Sequence, residues 1–300
     1  VVVLDLIRAD GSLLPAFDAG AHVDIHIAPG LVRQYSLCSN PGDASTYRLG
    51  VLKDPESRGG SIGVHDTLVE GREVQISVPR NLFPLAEKAQ RSILLGGGIG
   101  ITPMIAMAYS LHERGEAFEL HYCGRARNRC AFLSELENAP FAEHVTTHFD
   151  DEDDEQKLNL KKTLGPGKSG VHMYTCGPSG FMGWVISGAR DQGYAEDHIH
   201  KEYFQLEVDA SGEGFEVVAA RSGKTVQVAE GQTILDALAK VGIKIEISCE
   251  QGVCGTCLCD VLEGEPDHRD VYLTDEEKAV NDQILVCCSR AKSKKLVLDI

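Results

Sequence analysis

The sequence predicts a multidomain chain: an antiparallel β-barrel, then an α/β unit built on a parallel sheet, then a small α+β unit. Three observations carry this. Short alternating strands broken by Gly and Pro run to about residue 90, strands and helices alternate from 91 to 204, and six of the ten cysteines crowd between Cys249 and Cys288. At 300 residues the chain is long enough for two or three cores.

In the first segment, 1–90, Val23, Ile25 and Ile27 alternate on one face, and 33–39, 47–53 and 73–78 read as further strands. In the second, 91–204, strands at 92–95, 117–122, 145–149 and 171–175 alternate with helices at Pro103–Arg114 and Pro178–Gln192. A polar stretch with two glycines, 205–214, reads as a linker. The third segment, 215–300, has strands at 215–219, 224–228 and 295–299 and a helix at 233–241, with Thr233 as its N-cap. The acidic run Asp150–Glu155 reads as a solvated loop.

The formal net charge of −16 argues against nucleic acid and anionic lipid as partners, since both would be repelled. Residues 206–300 carry 18 Asp and Glu against 10 Lys and Arg, which suits a basic docking surface or simply a solvated one. No apolar run is long enough to span a bilayer and no export signal is visible, so the expectation is a cytoplasmic monomer. Clustered cysteines in such a chain point to metal or cluster ligands rather than disulfides.

The strongest motif is Cys249-x4-Cys254-x2-Cys257, with Cys287 following after 29 intervening residues. This is the plant-type [2Fe–2S] spacing. Gly252 and Gly255 let the loop turn its N–H groups toward the sulfurs. Zinc is the competing metal, but zinc sites usually pair two short knuckles and only one is present. Cys288 stands beside Cys287 as a competing fourth ligand, and Cys259 reads as a packing thiol.

Two glycine turns follow strands of the middle segment. Gly96-Gly97-Gly98-Ile99-Gly100-Ile101-Thr102-Pro103 runs from a strand into a helix, with Thr102 placed to cap it and Pro103 at its first position. Cys176-Gly177-Pro178 repeats the arrangement at a later strand end. Such turns admit a pyrophosphate at the carboxyl edge of a parallel sheet. In the barrel, Arg33-Gln34-Tyr35-Ser36 ends a strand, and Arg58-Gly59-Gly60-Ser61 opens a short helix suited to a single phosphate.

These motifs together resemble the phthalate dioxygenase reductase family within the ferredoxin reductase superfamily, over nearly the whole chain. The match extends through Lys53, Pro79-Arg80-Asn81, Phe83-Pro84-Leu85 and Glu202-Tyr203-Phe204. The resemblance implies an FMN-binding barrel, an NADH-binding α/β domain and a plant-type ferredoxin domain of β-grasp fold. It implies FMN contacts at Arg33, Gln34, Tyr35, Ser36, Lys53, Gly59, Gly60, Ser61, Thr102 and Phe204. NADH contacts fall at Gly97, Gly98, Gly100, Arg125, Cys176, Gly177 and Pro178, with Ser36 and Cys176 as the catalytic pair. Among the cysteines it selects Cys287 over Cys288 as fourth ligand. The implied activity is electron transfer from NADH through FMN and the cluster to a Rieske oxygenase or aromatic O-demethylase; preference for NADH over NADPH rests on the family alone. Two alternatives stay open: the reductase portion of a cytochrome P450 fusion, since the chain begins at Val1 without Met, and a redox-binding protein without turnover.

Overall fold

The computed structural model describes all residues, Val1–Ile300, as two compact units, Val1–Phe204 and Gln205–Ile300. In the first unit β1 (Val2–Leu6) pairs antiparallel with β4 (Tyr47–Val51). A second antiparallel sheet joins β2 (Ala21–Ala28), β3 (Leu31–Ser36), β5 (Gln75–Ile76) and β6 (Arg80–Asn81). A bridge between Leu37 and Leu49 links the two ladders into the barrel. Alternation on β2 buries Val23, Ile25 and Ile27 completely or nearly so, each fully buried aliphatic side chain contributing roughly 1.5–3 kcal/mol. The expected strand over 73–78 shortens to two residues. The helix α1 (Gly60–Thr67) lies between β4 and β5.

The rest of the first unit is a parallel sheet in the order β11 (Ile199–Glu202), β10 (Val171–Cys176), β7 (Arg91–Gly97), β8 (Phe118–Gly124), β9 (Val145–Phe149). Chain order reverses between β7 and β10, the place where open α/β sheets form their ligand crevice. Two faces need covering. Leu94, Leu120 and Tyr174 pack with α2 (Ile101–Glu113), while Ile93, Leu95 and Met173 pack with α4 (Leu160–Leu164) and α5 (Ser179–Asp191). A short α3 (Leu133–Glu137) follows β8.

The first long helix begins earlier than expected. A 3-10 turn, Gly98–Gly100, feeds directly into Ile101, so Gly100 stands at the N-cap and Pro103 is the third helical residue. Thr102 does not cap; its buried hydroxyl donates back to the Ile99 carbonyl at 3.0 Å. In the acidic run, Asp154 is paired with Lys157 at 2.7 Å on an open surface.

The second unit is a mixed sheet in the order β13 (Lys224–Val228), β12 (Phe215–Ala219), β18 (Lys295–Leu298), β14 (Leu258–Glu263), β16 (Gln283–Leu285), with β15 (Pro266–Asp267) and β17 (Arg290–Ala291) forming a separate antiparallel pair. β12 and β18 run parallel, and α6 (Ile234–Lys240) buries Ile234, Ala237 and Leu238 in its core. Thr233 caps α6 as expected, accepting from the Asp236 N–H at 3.0 Å. α7 (Asp275–Val280) opens with a full capping box between Thr274 and Glu277. Residues 209–213 do not run free as a linker would: arginines of this unit bond to their carbonyl groups.

Candidate functional site

In the second unit the loop before β14 carries Cys249, Cys254 and Cys257, and Cys287 arrives from the end of β16; all four are buried. Gly252 and Gly255 have φ of +74° and +75°, a left-handed backbone that side chains strain to adopt. There is no room for one either. A Cβ on Gly252 would lie 2.5 Å from the Cys288 sulfur, and one on Gly255 would lie 2.2 Å from the Tyr272 ring. The loop aims N–H groups at sulfur: Gln251 donates to Cys249 Sγ at 3.3 Å and Thr256 to Cys254 Sγ at 3.5 Å.

Side-chain hydrogen bonds pair Cys249 with Cys254 and Cys257 with Cys287, and Cys287 is bonded to Cys288 as well. Hydrogen bonding from Cys249 draws the Cys254 thiol below its ordinary value, which favours the thiolate a cluster ligand must be. Two pairs fit a cluster whose two irons each take two cysteines, whereas a single zinc needs four sulfurs about one point. Cys288 lies against Gly252 beside Cys287, and Cys259 is buried in β14.

In the first unit the two glycine turns lie at adjacent strand ends and press on each other. Cys176 stands opposite Gly96 on β7 and opposite Glu202 on β11, forming one row at the carboxyl edge. A Cβ on Gly100 would sit 2.3 Å from the Cys176 carbonyl oxygen, and one on Gly177 would sit 2.9 Å from that of Gly97. The Phe181 ring of α5 covers Gly97, while the position above Gly98 is open. This is a shape that a flat backbone-hugging ligand fits. Pro178 is the N-cap of α5, and Arg125 lies exposed just past β8.

On the barrel, β3 alternates. Arg33 and Tyr35 share a face with Ile25 and Val23, and Gln34 and Ser36 share the other with Asp24 and His22. Arg33 lies directly beside Gly60, where a Cβ would be 2.6 Å from its side chain, and it donates to the Arg58 carbonyl at 3.1 Å. Arg33, Gly59 and Gly60 therefore come together at the start of α1. Ser61 is engaged in the preceding loop, accepting from the Asp54 N–H at 3.0 Å, and Lys53 reaches Asp66 of α1 at 2.9 Å. The shielded Gln34 Nε2 has no partner in the protein, a donor of the kind an isoalloxazine edge satisfies. Burial pushes the Tyr35 phenol up to about 12. Thr102 packs on Gly50 of β4, and Phe204 packs on the core of the first unit.

Barrel and sheet meet where Ser36 Oγ donates to Glu202 Oε2 at 3.1 Å. Burial raises the Glu202 carboxyl to about 8, and burial with the nearby Glu202 charge pushes the Cys176 thiol well above its ordinary value. Glu202 and Phe181 are the residues that motif reading left without a role. An acid whose folded value lies above its unfolded one binds more protons when folded, so stability falls as pH rises from about 4.5 to about 8. Glu202→Gln removes this slope. The melting-temperature difference between variant and native protein is expected to stay flat below about pH 4.5 and to grow in favour of Gln up to about pH 8; a difference independent of pH would contradict the assignment.

A barrel, a parallel sheet with paired glycine turns at its switch point, and a separate unit with paired thiols define a flavin- and nucleotide-dependent iron–sulfur oxidoreductase. Residues 217–292 match the family model for the 2Fe-2S iron-sulfur cluster binding domain. The chain is 53% identical over 302 residues to a vanillate O-demethylase oxidoreductase of Pseudomonas sp. (strain HR199 / DSM 7063), covering 100% of this chain and 95% of that protein. The solved phthalate dioxygenase reductase superposes with a TM-score of 0.74 at 36% identity, over 99% of this chain and 92% of that one. An intact type IV self-sufficient cytochrome P450 monooxygenase superposes with a TM-score of 0.86 at 37% identity; the match covers 99% of this chain but 39% of that one. The chain belongs to the family of phthalate dioxygenase reductase and the vanillate O-demethylase oxidoreductases.

Proposed function

We propose that this chain is the reductase component of a Rieske-type aromatic oxygenase, acting in the cytoplasm and drawing on NADH, FMN and a [2Fe–2S] cluster. When bound, FMN accepts hydride from NADH and releases electrons singly, and the cluster carries them one at a time to the oxygenase. The observation that carries this reading is the Ser36–Glu202 hydrogen bond, which sets the barrel strand against the row of Gly96, Cys176 and Glu202 at the switch point.

The chain's own residues then have definite work. Arg33 and the backbone at Gly59 and Gly60 hold the flavin phosphate, and Gln34 meets the ring edge. Ser36 and Cys176 would meet the flavin and the nicotinamide and are the proposed catalytic residues, while Glu202, its carboxyl protonated at neutral pH, accepts from Ser36 at Oε2. Gly97, Gly98, Gly100, Gly177 and Pro178 admit the dinucleotide, with Arg125 at its outer end. Lys53, Ser61, Thr102, Tyr35 and Phe204 bound the flavin pocket. Cys249, Cys254, Cys257 and Cys287 hold the cluster.

The 53% identity to a vanillate O-demethylase oxidoreductase favours an aromatic O-demethylase as acceptor. The P450 superposition supports a second reading, delivery to a haem. Anaerobic mixing with NADH and a purified Rieske oxygenase, with the oxygenase centre followed by EPR, tests the first. Reduction within seconds is expected; a Rieske centre left oxidised while a P450 haem is reduced would transfer the assignment to the second.

A further inference from the structure

Asp270 is the one acidic residue that the second unit buries, and neither the cysteine motif nor the sheet accounts for it. We propose that Asp270 is a positioning residue for electron transfer: its charge, set against the cysteine loop and partly offset by Lys278, lowers the potential at which the cluster takes up an electron. The inference rests on the reading of the chain as a carrier of single electrons. Reduction of the cluster adds one electron and makes or breaks no bond.

Local bonding keeps the carboxylate in place. Asp270 is 4% exposed, and its side chain is fully shielded. Its Oδ2 accepts from the Leu273 N–H at 2.9 Å, closing a turn just ahead of Thr274, the cap of α7. That helix carries Lys278, whose Nζ donates to the Asp270 carbonyl oxygen at 2.8 Å and stands 4.0 Å from Oδ2. Oδ1 accepts from Ser289 Oγ at 3.4 Å. His268 Nδ1 stands 3.7 Å from Oδ1, beyond hydrogen-bond reach. An asparagine amide could accept from Leu273 and bond to Ser289 equally well, without burying a charge. Fastening the turn therefore does not explain why this residue is an acid.

Its place does. Residues 270–272 lie along the cysteine loop and press on both of its left-handed glycines. A Cβ on Gly252 would come 3.1 Å from Asp270 Cα and 3.2 Å from its Cβ, and the Tyr272 ring closes over Gly255. Between them the Val271 N–H donates to the Gly252 carbonyl at 3.1 Å. Ser289, the partner of Oδ1, stands two residues beyond Cys287. The carboxylate is thus set between the loop that carries three cysteines and the segment that carries the fourth, among buried residues. A unit charge about 10 Å away, at an effective dielectric of about 20, changes an equilibrium that adds a charge by about tenfold or more. Negative charge opposes a further electron, so the reduced cluster beside Asp270 is the readier donor. Lys278 acts in the opposite sense.

Two variants separate charge from packing. Asp270→Asn keeps the shape and removes the negative charge, and Lys278→Gln removes the positive one from a side chain that is partly exposed. Potentiometric titration of the holoproteins at one pH, with the EPR signal of the reduced cluster followed, reads both. Asp270→Asn is expected to reach half reduction about 59 mV higher, a tenfold shift in a one-electron equilibrium, and Lys278→Gln is expected to reach it at a lower potential than native. Iron content should be native in both. Shifts of opposite sign are what the proposal requires, since loosened packing does not take its sign from the charge removed. An unshifted potential in Asp270→Asn, or shifts of the same sign in both variants, overturns the proposal. A shift in Asp270→Asn with none in Lys278→Gln overturns the part given to Lys278. Where Asp270→Asn retains no cluster, Lys278→Gln decides by itself: a lowered potential supports the proposal and an unchanged or raised one overturns it. A native protein that shows no cluster signal would refute the reading of the chain instead.

Discussion

Replacing Cys254 with alanine is expected to remove the visible cluster spectrum and to cut NADH-driven reduction of cytochrome c by more than about 100-fold, beyond what loss of an outer-shell partner costs. Cys254 receives hydrogen bonds from Cys249 and from the Thr256 N–H, and of the four paired thiols it is the one drawn below its ordinary value. Without it the Cys249 side of the site offers one sulfur where an iron needs two. NADH-driven reduction of ferricyanide, which the flavin performs directly, should stay within about twofold of native, because the residues proposed to hold flavin and nucleotide lie in the other compact unit. Equal loss of both activities would show that the units do not act separately.

Gly100→Ala should damage nucleotide use while sparing flavin and cluster. The new methyl has nowhere to go: backbone atoms of Cys176 and Gly177 lie 2.3–2.6 Å from its ideal position. Backbone cannot rotate aside as a side chain can, so the two turns must separate, at a typical overpacking cost of about 1–3 kcal/mol. Because the turns form the proposed surface for the dinucleotide, the KM for NADH is expected to rise by at least about tenfold, the equivalent of about 1.4 kcal/mol of lost binding. Flavin and iron content should be native. A normal KM with a lowered melting temperature would mean that the glycine serves packing alone.

What could be read in the sequence was local. The C-x4-C-x2-C loop brings three cysteines within nine residues, and glycines at its two left-handed positions are visible by type. The barrel, the parallel sheet and α6 follow from alternation, strand–helix order and a capping threonine. Nonlocal facts were hidden. Glu202 acquires its partner Ser36 because β11 joins β10 in one register, a pairing across 166 residues that no periodicity reports. The early start of α2 comes from the 3-10 turn that Gly98–Gly100 makes while packed under Cys176. Residues 205–214 have a linker's composition, yet donors 58 to 78 residues away hold part of them. Composition describes what a segment would do alone, and here distant arginines decide.

The most direct measurement is an anaerobic titration of the purified protein with NADH, followed by visible absorbance, with the released flavin identified. The account predicts uptake of about three electrons per chain, two into flavin and one into the cluster, with FMN in the extract. No uptake, with flavin and iron both present, would contradict the claim that the Ser36–Glu202 row is where NADH delivers its electrons.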